Sequence, residues 1–96
     1  MRCYRVLVHG KLKWIADQAG KARPAGFYCH RFVLAADEQS ATATALRRVR
    51  RNLDKQVGWL SDGAATLQLE ADEVVVASIR KLLMPDNQGH SFYGHE

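Results

Sequence analysis

No apolar run in the 96 residues approaches the ~20 needed to cross a bilayer. Met1-Arg2-Cys3-Tyr4-Arg5 leads into alternation and not into a signal core. The expectation is an unexported, cytoplasmic protein with no membrane partner. Cysteine is scarce: Cys3 and Cys29 are the only two, and with His9 and His30 they show neither the C-x-x-C nor the H-x-x-x-H spacing of a zinc site. Adjacent strand residues such as Cys29 and His30 point to opposite faces, so they do not share one ion or make a nucleophile and its base. Gly58 and Gly63 lack the lysine and following helix of a phosphate loop. Ser40, Ser61, Ser78 and Ser91 lie in no nucleophile elbow. With these signatures missing, the expectation is a protein that is not an enzyme, without catalytic residues, cofactor or metal. Repeats, linkers and low-complexity tracts are absent too.

What is present belongs to one globular domain. A hydrophobic fraction of 47% with 25% charged residues lies well away from the disordered class, and a chain of this length buries enough surface to fold without staples. The chain is organised around residues 26–53. Phe27, Tyr28, Phe32, Val33 and Leu34 make a strand interrupted by His30 and Arg31. Asp37 then caps a helix, with Glu38 at the positive end of its dipole. Leu46, Val49, Leu53 and Val57, extended by Ala41 and Ala45, form the stripe that faces the sheet, and Gly58 ends the helix.

Upstream, Tyr4, Val6 and Val8 alternate with Cys3, Arg5, Leu7 and His9 in a first strand that residues 11–15 extend. Residues 16–25 read as a long cationic hairpin loop. Pairing Tyr4, Val6 and Val8 with Leu34, Phe32 and His30 puts Cys29 beside His9 and Cys3 beside Ala35, too far apart for a disulfide, so free thiols are expected. Downstream, residues 58–63 are a connection anchored by Trp59, and residues 66–70 alternate as a third strand. After a turn at Ala71-Asp72, residues 74–79 read as a fourth strand, with a helix over 72–83 as the competing reading. The fold class is therefore α+β: an antiparallel sheet of three to four strands with one main helix on one face, in β-β-α-β-β order, residues 1–84 forming the domain and 85–96 a tail. One helix does not cover such a sheet, so Leu7, Cys29, Arg31 and Val33, with Phe92 and Tyr93 of the tail, are the candidate interface for a protein partner or a homodimer.

Charge is polarised along the chain: residues 1–55 hold twelve Lys or Arg against four Asp or Glu, and residues 56–96 hold two against six. Arg47, Arg48, Arg50, Arg51 and Lys55 share the helix, so contact with nucleic acid is the alternative function, with Lys11, Lys13, Lys21 and Arg23 of the hairpin as further phosphate contacts and Tyr28 or Trp14 stacking on bases. A solvated helix face is the commoner meaning of such a run.

Gly26-Phe27-Tyr28, Arg31-Phe32-Val33, the acidic cap, the alanine-rich helix and Gly89-x-Ser91-Phe92-Tyr93 resemble a group of small uncharacterised bacterial α+β proteins over most of the chain. The resemblance implies no activity. It implies an ordered tail, and the arginine cluster departs from it.

Overall fold

Asp37 and Gly58 bound the helix as their chemistry requires. The Asp37 carboxylate accepts from the Ser40 amide at 2.7 Å, while Gly58 takes the left-handed conformation at φ 68° and donates its N–H to the Asp54 carbonyl. The computed structural model describes residues 1–15, 23–83 and 90–94. Within them run β1 (Arg2–Trp14), β2 (Gly26–Ala35), α1 (Glu38–Val57), β3 (Ala65–Val76), a short 3-10 turn (Ile79–Leu83) and β4 (Ser91–Tyr93). The strands form one antiparallel sheet in the order β3-β1-β2-β4. α1 lies on one face of it, and the α+β architecture is the expected one. At thirteen residues, β1 is the longest strand, spanning about 43 Å at ~3.3 Å per residue. No helix among the described residues is long and apolar enough to cross a membrane.

The core lies between helix and sheet. Ala41, Ala45, Val49 and Leu53 of α1 meet Tyr4, Val6, Val8 and Leu12 of β1 and Phe27, Cys29, Val33 and Ala35 of β2, all buried. Leu46 and Val57 pack at its margin, as do Trp14 and Trp59, whose rings meet edge to face at 4.8 Å. Trp59 thus anchors the connection after α1, as expected.

Three details differ from the sequence reading. Tyr4 pairs with Val33 and not Leu34, so the β1–β2 register is one residue away from the expected one. A one-residue slip exchanges the faces. Phe27, Cys29, Arg31, Val33 and Ala35 therefore face the helix, while Tyr28, His30, Phe32 and Leu34 face away. A glycine sets this register: Phe27 stands opposite Gly10 and its ring covers it, leaving a β-carbon at Gly10 only 2.3 Å from Phe27 Cζ. The small residues on the helix side let α1 approach closely through Ala41 and Ala45.

Second, residues 65–76 are one strand. The Ala71-Asp72 turn is instead a β-bulge, where Leu7 pairs with Glu73 and Val8 with Ala71, leaving Asp72 as the extra residue. Third, the fourth strand comes from the segment read as a tail: Ser91–Tyr93 pairs with Gly26–Tyr28. The hairpin residues 16–22 and the tail residues 85–89 and 95–96 lie outside the described residues.

Candidate functional site

Alternation along β1 sends Arg5, Leu7, His9, Lys11 and Lys13 to the face that α1 leaves open, and pairing adds Tyr28, His30, Phe32 and Leu34 from β2 with Glu70, Glu73 and Val75 from β3. His9 is the hub of that face. Its Nδ1 lies 3.0 Å from Glu70 Oε1 and its Nε2 lies 2.5 Å from the Tyr93 hydroxyl. The Tyr28 ring stacks on it at 4.4 Å with planes 9° apart, and only 9% of His9 remains exposed. Four strands thus converge on one imidazole. Tyr93 reaches it by crossing Gly26, where a β-carbon would lie 2.4 Å from the phenolic oxygen.

Burial first, then the charges of Tyr28 and Glu70, hold the Tyr93 phenol above its ordinary range. It is therefore a phenol at neutral pH, a hydroxyl able to donate to the ring nitrogen or to accept from it. Lys11 Nζ is 3.8 Å from the same Glu70 oxygen, and Asp72, at the bulge, brings a second carboxylate within 4.8 Å of His9 and Glu70. Beside this group Arg5 pairs with Glu73 at 2.5 Å. Towards the end where β1 begins, the face turns apolar: Leu34 is 44% exposed and Val75 37%, with Val76 and Ile79 exposed close by in sequence.

The expected interface residues separate. Leu7 and Tyr93 lie on the open face, and Phe92 is exposed at the sheet edge, in edge-to-face contact with Phe27 and Trp59. Cys29 and Val33 are in the helix-side core, and Arg31 is fully buried, its Nη1 donating to the His30 carbonyl at 2.8 Å and its Nη2 3.3 Å from His90 Nε2. The register slip is the reason for all three. Burial, only partly offset by Arg31, pushes the Cys29 thiol up to about 11, so it is no nucleophile at neutral pH. Both thiols are free and buried, as expected. His9 and Cys29 lie on opposite faces, so they make no common ligand set.

The helix cations also divide. Arg48 donates to the Phe32 carbonyl at 3.2 Å and Arg50 to the Leu67 carbonyl at 3.1 Å, so the two strap α1 to strands on either side of it. Arg47, Arg50 and Arg51 line an open groove of about 440 Å³ with Asp54, Leu60 and Ser61, and Lys55 is exposed one turn on. Lys11 and Lys13 are on the other side of the sheet. Trp14 lies under the Arg23 guanidinium at 4.3 Å and donates to the Pro24 carbonyl.

The His9 group was not legible in advance. Its members are 61 and 84 residues apart, and only the strand order and the register bring them together. The available signal was glycine inside strand-forming sequence at Gly10 and Gly26, which marks close crossing by a neighbour. No family model matches the chain, and comparison with curated proteins and with solved structures gave no match.

Proposed function

We propose that this chain is a non-enzymatic, cytoplasmic association domain that pairs with a second copy of itself through the open face of the sheet. The observation that carries the reading is the composition of that face. Leu34, Val75 and Tyr28 are each more than a third exposed on it. Around them β1 supplies cations at Arg5, Lys11 and Lys13, while β3 supplies Glu70 and Glu73. A two-fold contact needs a patch that complements itself, and adjacent columns of opposite charge around apolar side chains meet that need. Sedimentation velocity tests it. The wild-type chain sediments as a dimer in the micromolar range, and Leu34→Glu with Val75→Glu returns it to a monomer with an unchanged circular dichroism spectrum. A wild-type chain that stays monomeric at ~100 µM ends the reading.

The groove beside Arg47, Arg50 and Arg51 favours a second reading, contact with the phosphates of single-stranded nucleic acid. It has fewer cations than the sequence suggests, because Arg48 serves the sheet, Arg50 is shared with the Leu67 carbonyl, and Lys11 and Lys13 lie on the other face. Absence of RNA binding at low salt, or binding indifferent to Arg47→Ala with Arg51→Ala, ends it.

A further inference from the structure

We propose that His9, Glu70 and Asp72 form a binding site for a divalent first-row transition metal ion of the zinc type, at the opposite end of the open face from Leu34 and Val75. One imidazole nitrogen and two carboxylates offer ligand atoms that all lie within 4.8 Å of one another, and a tetrahedral ion at ~2.0–2.2 Å from each ligand needs them about 3.3–3.6 Å apart. The 3.0 Å between His9 Nδ1 and Glu70 Oε1 opens to that value by a small rotation of the Glu70 side chain, which is half exposed.

Two features of the fold prepare the site. The imidazole is held before any ion arrives, by Tyr28 stacked on its face and by the Tyr93 hydroxyl on Nε2, so Nδ1 is aimed at the carboxylates. An oxygen on the far nitrogen is the arrangement that orients a ligating histidine. The second feature is the bulge, which places Asp72 as an extra residue opposite the Leu7/Val8 step, next to His9 in the strand pair. With an ion on Nδ1, the neutral ring carries its proton on Nε2 and the Tyr93 hydroxyl accepts it, so no charge is stranded. Glu70 and Asp72 are exposed, so water can complete the coordination. Lys11, 3.8 Å from Glu70, competes for the carboxylate, and its exposed ammonium has room to swing away.

Calorimetric titration of the untagged chain with Zn²⁺, with Co²⁺ as the visible-absorption probe, tests the site. One ion per chain is expected, with a Co²⁺ spectrum of low coordination number. Asp72→Asn and Glu70→Gln each weaken Zn²⁺ binding tenfold or more, whereas Glu73→Gln, on the same face but paired with Arg5, changes it less than twofold. His9→Ala abolishes binding. Should that variant fail to fold, the two carboxylate variants still decide. No saturable uptake by the wild-type chain at ~100 µM Zn²⁺, or Asp72→Asn binding as tightly as wild type, overturns the proposal. The outcome is separable from that of the dimer reading, because Leu34→Glu with Val75→Glu leaves all three ligands in place.

Discussion

Glycine at position 26 does two jobs that no other residue can do there. A β-carbon would lie 2.3 Å from the Gly10 carbonyl oxygen and 2.4 Å from the Tyr93 hydroxyl, so any side chain must push away β1, β4 or both. Gly26→Ala is therefore expected to destabilise the fold by roughly 1 to 3 kcal/mol in urea unfolding, the usual cost of overpacking against parts that cannot yield. Equal stability of Gly26→Ala and wild type would mean that β4 is not seated where Tyr93 reaches His9. The buried arginine is a different case. Arg31 passes its stem through the core and delivers its guanidinium to the His30 carbonyl and the His90 ring. An alternating reading of the strand, which treats arginine as a surface residue, puts it outside.

Among the elements, β4 is the smallest and the most exposed to pH. His90, just before it, accepts at Nε2 from Arg31 and donates from Nδ1 to Gln56 Oε1 at 3.2 Å. The contact with Arg31 requires a neutral ring, since a protonated Nε2 has no lone pair to accept with. Burial, then the Arg31 charge, lowers its pKa from 6.5 to about 4. The unfolded chain thus binds the proton more readily than the folded one, so stability is fully present above about pH 6.5 and is lost as the pH falls towards 4. The ring is only partly buried, which limits the expected loss to about 1 kcal/mol. His90→Gln, which does not titrate, should flatten stability over that window in urea melts at stepped pH, and an unchanged slope would sink the assignment. The elements also show what a sequence can carry. The helix was legible because its signals are local: a cap at Asp37, a stripe at three and four, a glycine at 58. The first two strands were legible from alternation. Their register was not, because it is set by Phe27 covering Gly10 across the ribbon. Neither was the role of residues 91–93, because nothing in three residues announces which edge they will join. The bulge at Asp72 reads as a turn in the sequence for the same kind of reason, since one residue too many in a strand and a reversal of the chain both look like a break in alternation.

For the whole molecule, the arrangement of layers decides what remains available for contact. One helix on a four-stranded sheet leaves a face with an ionic and aromatic end around His9 and an apolar end around Leu34 and Val75. If the apolar end pairs with a second copy, the midpoint of thermal unfolding rises with protein concentration, by mass action on the dimer. Leu34→Glu with Val75→Glu should remove that dependence, and a wild-type midpoint unchanged over a hundredfold concentration range would speak against pairing. The strand order has a temporal side as well. Both outer strands, β3 and β4, follow the helix in the chain, while the inner pair precedes it. A ribosome therefore releases a two-stranded ribbon with its helix long before either flank exists, and Glu70 and Tyr93 can reach His9 only after contacts spanning more than sixty residues have closed. The polar hub is thus among the last parts to be assembled, and slow, late completion is built into the topology.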